Sequence, residues 1–466
     1  MLSFSLEEIA AVTGGRLTDV PDPAAPMTQG IVTDSREVVP GCVFVALVGE
    51  RVDGHDFAAR TVKDGAVAVL ASRPVGVPAI VVDDTLAALA AIGRHALAQL
   101  TDPVVVGLTG SAGKTSTKDL LAQVIPGLGP TCVTDRSFNG EIGMPITILR
   151  ANPDTQYLVL EMGARGAGHI ENLTTIARPQ VGLVLNIGSA HVGEFGGKAA
   201  IAEAKSELVA ALPADGLAVL NADDPLVAKM AERTKARIRT FGMGEHADVW
   251  ADEVTLDQAG RPSFRLHLRG IASTRVEMGL HGEHHVANAL AAAAVATGLG
   301  MPLADVAEAL SGARNLTTGR MEVLDRPDGM RVVNDAFNAN PDSMRVALKA
   351  LAAMAGDRRT VAILGEMKEL GPEAEAGHRE VGKLAADSGV GLLVAVGGEH
   401  AHALATAARE QNPLLDVIRA VDRDAVPAAV AGVLTARDIV LVKGSHSTGL
   451  EATALLLAND TVGDHD

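Results

Sequence analysis

The run Val104-Val-Val-Gly-Leu-Thr109 is continuously apolar and passes straight into Gly110-Ser-Ala-Gly-Lys-Thr-Ser116. A strand without polar alternation must be covered on both faces, the condition met by a parallel sheet flanked by helices. A glycine-rich turn that follows such a strand and opens a helix brings backbone amides and the positive end of the helix dipole to the sheet's carboxyl edge. The same turn can serve as a plain strand-to-helix connection, but lysine and threonine at its end favour a phosphate ligand. Gly110 and Gly113 let the amides of Ser111 and Ala112 approach phosphate oxygens. Lys114 reaches the outer phosphates, and Thr115, followed by Ser116, offers its hydroxyl to a magnesium ion. Two residues separate the glycines, against four in the Walker A form, which argues against an ordinary GTPase or motor ATPase.

Further buried runs at Tyr157–Leu160, 181–187 and Leu217–Asn221, with helical patterns between them, predict right-handed βαβ units and a doubly wound α/β sheet. Before them, 43–47, 67–70 and 79–82 are strand-like and 86–100 is helical, giving a first domain over residues 1–100. Between Ala247 and Leu280 apolar and polar residues alternate, which predicts a small antiparallel sheet carried by the central domain, 101–314. The strand–helix rhythm resumes at 331–335, 361–365, 392–396 and 439–443 and predicts a second parallel sheet, of Rossmann type, in a third domain, 315–466.

Lys plus Arg number 40 and Asp plus Glu 57, a formal net charge of −17, which disfavours nucleic acid as a partner while leaving room for a local basic pocket. Aromatic residues make up 2%, so base stacking is equally disfavoured. Cys42 and Cys132 read as two buried thiols in a reducing compartment. The start of the chain lacks a basic lead before an apolar core, and the alanine-rich run 289–304 is broken by Thr297 and Pro302. A cytoplasmic monomer without a membrane span is expected.

Glu161 ends a predicted strand and His191 follows another, so both belong at the carboxyl edge where α/β ligand sites lie. Each alone is as well explained by loop capping or a structural hydrogen bond; with Thr115 converging on them, a magnesium-nucleotide site becomes the better account. Lys205, between Glu203 and Glu207 on a helix, reads by pattern as part of a solvated face. Asn288 inside an apolar helix suits either recognition of an adenine edge or a hydrogen bond within the helix. Arg320, at the junction before the third domain, is either surface decoration or a phosphate clamp. Asp335 stands at a strand end before a turn containing Asn338, and Asn and Pro form such turns for local reasons.

Together, Gly110-Ser-Ala-Gly-Lys-Thr-Ser116, Glu161-Met-Gly163, His191 and Ala204-Lys-Ser-Glu207 resemble the nucleotide site of the ATP-dependent Mur ligases of peptidoglycan synthesis. Thr33-Asp-Ser-Arg36 resembles the family's uridine-nucleotide-binding domain, with Ser35 and Arg36 as substrate contacts, and Phe138-Asn-Gly-Glu-Ile-Gly143 partly matches a substrate-contacting stretch at Asn139. Asn334-Asp-Ala-Phe-Asn-Ala-Asn340, Leu364-Gly-Glu-Met-Lys-Glu-Leu-Gly371 and Val442-Lys-Gly-Ser445 resemble the branch that adds D-alanyl-D-alanine, although Phe337 replaces a usual tyrosine and His285 a usual asparagine. The resemblance implies three domains and an ATP-dependent amide ligase that adds D-alanyl-D-alanine to UDP-N-acetylmuramoyl-tripeptide through an acyl phosphate. It further implies two magnesium ions held by Thr115, Glu161, His191 and a carbamylated Lys205. Asn288, Arg320, Asp335 and Asn338 become nucleotide contacts, Arg320 and Asp335 only on domain closure. A sibling ligase adding a single amino acid, a folylpolyglutamate-synthase-like enzyme and a non-catalytic nucleotide-binding protein are the rival readings.

Overall fold

In the computed structural model, residues 2–49, 52–135, 138–188 and 197–459 are described, and they form three α/β units in chain order. The first has a five-stranded sheet, ordered Arg16–Thr18, Ala79–Val81, Ala68–Ala71, Val43–Val45, Ile31–Val32. Only the first pair is antiparallel. Asp84 opens the helix Thr85–Ala98 by accepting the amides of Leu86 and Ala87 at 2.8 and 3.1 Å. That helix fastens the first unit to the second. A Cβ on Gly93 would lie 2.9 Å from Cβ of Pro145 in the helix Gly143–Leu149. Leu89 and Ile92 share one apolar cluster with Met144 and Ile148, so burial that stabilises one unit also docks the other.

The central sheet has nine strands, in the order Ala272–Glu277, Pro262–Leu268, Val249–Leu256, Arg237–Gly242, Leu217–Asn221, Val181–Val184, Val104–Thr109, Tyr157–Glu161, Thr131–Val133. The antiparallel strands anticipated beside this sheet are continuous with it. Val249–Leu256 joins Arg237–Gly242 in parallel through Phe241 and Gly242, then turns antiparallel to Pro262–Leu268 across a bulge between Asp252 and Thr255. Ala251, Phe264, Leu266 and Val276 place their alternating apolar side chains in the same core as the helix His284–Gly298. Covering that helix is what holds the extension in the sheet.

Val104–Thr109 lies between Val181–Val184 and Tyr157–Glu161, both parallel to it. The crossover from Val104–Thr109 runs to Thr131–Val133 on one side, and that from Tyr157–Glu161 passes over to Val181–Val184 on the other, so the crevice at its carboxyl end is the topological switch point. The third unit has six strands, ordered Glu322–Asp325, Arg331–Asn334, Asp438–Lys443, Arg359–Gly365, Leu392–Val396, Asp416–Ala420, antiparallel only at the first pair. Among the described residues no helix is long and apolar enough to cross a membrane. Cys42 is buried and Cys132 half-buried, and both are free thiols.

Candidate active site

The glycine-rich turn closes on the helix Lys114–Val124 as its sequence predicts. Gly113 has φ 79°, and a Cβ there would lie 2.7 Å from Oδ1 of Asn288, so any side chain would meet both strain and a clash. Asn186, at the end of the neighbouring strand, organises the turn: its Oδ1 accepts the amides of Ser111 and Ala112 at 3.1 and 2.9 Å, and its Nδ2 donates to Ala112 O at 3.1 Å. The amides expected to cradle phosphate at Ser111 and Ala112 are thus engaged within the protein. What remains is Gly113, the first helical turn with its unpaired amides, and the buried Ser111 hydroxyl, which has no hydrogen-bond partner among the described residues. Lys114 Nζ donates to Gly110 O at 2.9 Å; burial lowers its pKa, while Glu161 favours its charge.

Glu161 is 1% exposed at the carboxyl edge of its strand. Asn139 Nδ2 donates to its Oε1 at 2.9 Å, and its Oε2 is buried with no hydrogen-bond partner among the described residues. An ionised oxygen in that state is poorly solvated and suits a cation. Asn139, expected to contact substrate, therefore orients this carboxylate. Lys205, which pattern alone puts on a solvated face and the resemblance puts in the site, is 4% exposed in the helix Lys198–Ala210. Burial, reinforced by the ammonium of Lys114, lowers its pKa to about 7. His191 lies outside the described residues. Among the described residues no group of three or more His, Cys, Asp or Glu converges on one point. Magnesium is compatible with such a sparse set, because it commonly relies on one or two carboxylates, water and the phosphates of its substrate.

The third unit supplies the opposite wall. Arg320, half-buried rather than decorating the surface, donates from Nη2 to Thr115 Oγ1 at 3.1 Å, and its guanidinium carbon lies 4.1 Å from the ring centroid of Phe337. The ring holds the cation over the loop without a hydroxyl. Asn288 Oδ1 faces Gly113 while its Nδ2 is buried without a hydrogen-bond partner among the described residues, so its amide is turned to the phosphate loop. Asp335 is differently engaged: its Oδ1 accepts Met321 N–H at 3.1 Å and its Oδ2 accepts Lys443 Nζ at 2.7 Å. Lys443 also donates to Asn338 O at 2.8 Å, and the Asn338 side chain accepts Ala339 N–H at 2.8 Å. This pair locks two adjacent parallel strands. Lys443→Met, which strands the Asp335 charge, is expected to destabilise the third unit by about 3 to 5 kcal/mol, read as a lowered urea midpoint for the full chain. A midpoint equal to that of the parent would show the pair to be dispensable.

A cavity of about 1380 Å³ joins these walls, lined by Lys114, Thr115, Glu161 and Lys205 on one side and by Arg320 and Phe337 on the other. Asn139 and Asn338 also line it, whereas Gly110, Asn288 and Asp335 stand behind its surface. Ser35 and Arg36 are not part of it. They occupy an exposed turn of the first unit, where Arg36 makes a bidentate pair with Asp34 and holds that carboxyl at about 2. Asn186 and the buried pair Lys118–Asp119 at 2.6 Å, which also lines the cavity, are site residues that the sequence pattern does not single out. A polar residue directly after a buried strand, and two charges on the buried side of a helix, were the available signals.

Residues 28–100 match the Mur ligase family catalytic domain, residues 108–296 the Mur ligase middle domain and residues 319–446 the Mur ligase glutamate ligase domain. The chain belongs to the Mur ligase family. It is 44% identical to the UDP-N-acetylmuramoyl-tripeptide–D-alanyl-D-alanine ligase of Mycobacterium tuberculosis over 99% of both chains. Its identity to the Escherichia coli ligase of the same name is 35% over 97% of both. Among solved structures, MurF from Acinetobacter baumannii superposes with a TM-score of 0.87 at 32% identity, covering 99% of this chain and 100% of that one. MurF ligase from Thermotoga maritima, solved in complex with ADP, gives 0.78 at 28% identity over 93% and 97%.

Proposed function

We propose that this chain is an ATP-dependent amide ligase that joins D-alanyl-D-alanine to the terminal carboxylate of UDP-N-acetylmuramoyl-tripeptide, completing the pentapeptide used in peptidoglycan synthesis. The observation that carries it is the convergence of Lys114, the half-satisfied Glu161 carboxylate and buried Lys205 in one cavity that Arg320 closes from the third unit, in a chain alike from end to end to ligases of that name. Residues 1–100 bind the UDP-substrate, with Ser35 and Arg36 toward the uridine nucleotide; 101–314 bind ATP; 315–466 close over it. A cytoplasmic monomer fits this role.

The tripeptide carboxylate attacks the γ-phosphorus of ATP, ADP leaves, and an acyl phosphate forms. Lys114, at the start of the loop's helix, offsets charge that accumulates on the transferring group, and Arg320 adds a second cation from the opposite wall. Thr115 and Glu161 would hold magnesium, with Lys205 joining them once its amine has bonded to carbon dioxide and released a proton to become a carbamate anion. Magnesium, when bound, neutralises the phosphate oxygens. A lysine held near neutrality by burial has the uncharged nitrogen this modification needs. The dipeptide amine then attacks the acyl carbon, the amide forms and phosphate departs. Water would hydrolyse the acyl phosphate, and the apposition of the second and third units keeps it out.

Phosphate release is expected only when ATP, UDP-tripeptide and D-alanyl-D-alanine are all present. Release with a single amino acid in place of the dipeptide would indicate a sibling ligase, and none with the full set would refute the assignment.

A further inference from the structure

The strand Arg359–Gly365 delivers Glu366-Met-Lys-Glu-Leu-Gly371 to the third-unit wall of the cavity. This loop is held from behind. Met367 N–H donates to Nε2 of fully buried His378 at 2.9 Å, and the ring is oriented by its Nδ1–H donating to Ala374 O at 2.6 Å. Ser445 Oγ accepts Lys368 N–H at 2.8 Å, and Ser445 N–H donates to Glu366 O at 3.1 Å. Glu369, the next residue, has φ 66°, a left-handed conformation that non-glycine residues keep only where their surroundings impose it. So placed, Glu369 lines the cavity, near enough for its charge to favour the ammonium form of Lys114.

We propose that Glu369 receives the α-ammonium of the incoming dipeptide and so selects a cationic amine as the acceptor; the two protons that its nitrogen loses on becoming the amide leave with the phosphate. The proposal rests on the ligase reading above. The acyl carbon is joined through oxygen to the phosphate that Lys114 holds, so the attacking nitrogen must arrive in the region whose charge Lys114 feels. Glu369 brings an anion to that region from the third unit, across the cavity from the ATP loop. An anchored backbone matters because a charge-assisted contact discriminates only if its geometry is fixed in advance.

The test compares two nucleophiles on the full-length enzyme with ATP and UDP-tripeptide. D-Alanyl-D-alanine arrives as an ammonium, whereas hydroxylamine is largely uncharged at neutral pH and traps the acyl phosphate as a hydroxamate. E369Q is expected to raise the KM for D-alanyl-D-alanine by about 10- to 100-fold, with hydroxamate formation kept within about twofold. E369D, which keeps the charge on a shorter stem, should show a smaller rise. An unchanged dipeptide KM in E369Q overturns the proposal, as does equal loss of hydroxamate and peptide formation in both variants. A parent enzyme that makes neither product refutes the ligase reading instead.

Discussion

Lys205→Ala is expected to lose phosphate release by about 100-fold or more and to recover part of it when formate is added. Two observations lead there. The side chain is 4% exposed, and its pKa is lowered to about 7, chiefly by burial and secondly by Lys114. A cation in that position would repel the very charge that Lys114 and Arg320 bring to the γ-phosphate, and would do nothing for a metal. As a carbamate the same residue would be an anion in the cavity that Glu161 also lines, and Glu161 Oε2 is buried with no hydrogen-bond partner among the described residues. Alanine leaves a gap of the carbamate's length, which a small free carboxylate can enter. Lower pH should inhibit the parent enzyme through the same group, since protonation below about 7 removes the nucleophilic nitrogen. Full activity of the unsupplemented mutant would remove Lys205 from the chemistry. A mutant rescued equally by formate and by chloride would show a missing charge rather than a missing ligand.

Arg320→Ala is expected to lower kcat by about 1,000-fold while the affinity for the UDP-substrate stays within about twofold. Arg320, from the third unit, touches the phosphate loop at Thr115, and Phe337 holds it there by its ring. Losing it removes a cation from the wall facing Lys114 and uncouples third-unit closure from ATP. The first unit, with Ser35 and Arg36 on its own exposed turn, is untouched, so titration of the UDP-substrate into the mutant should match the parent. Unchanged turnover at saturating ATP would refute the clamp. Phe337→Leu offers a milder check: about a tenfold loss is expected if the ring's hold on the guanidinium matters, since a cation–π contact is worth about 0.5 to 2 kcal/mol.

Much of the scaffold was readable before any coordinates. Val104–Thr109, Leu217–Asn221 and Leu392–Val396 are strands where the chain is unbroken in its apolarity, because a strand covered on both faces leaves no polar phase to misread. The run 181–187 stops being a strand at Val184, three residues early, because the chain must turn there for Asn186 to reach back to Ser111 and Ala112. The antiparallel segment was correctly phased, but its attachment depends on Phe241 and Gly242 pairing with Val249 and Trp250, a contact that no local pattern announces.

The sequence by itself determined the order of strands and helices, the position of the phosphate loop and the edge of the sheet on which Glu161 must stand. Those follow from periodicity and from backbone stereochemistry, which act over a few residues. Only the tertiary structure decided that Lys205 faces inward, that Asn139 serves Glu161, that Asp335 is bound to Lys443 across two strands, and that Arg320 reaches Thr115 from another unit. Each of these depends on burial or on a partner distant along the chain. A charged side chain changes its chemistry with its surroundings, and a one-dimensional pattern does not carry those surroundings.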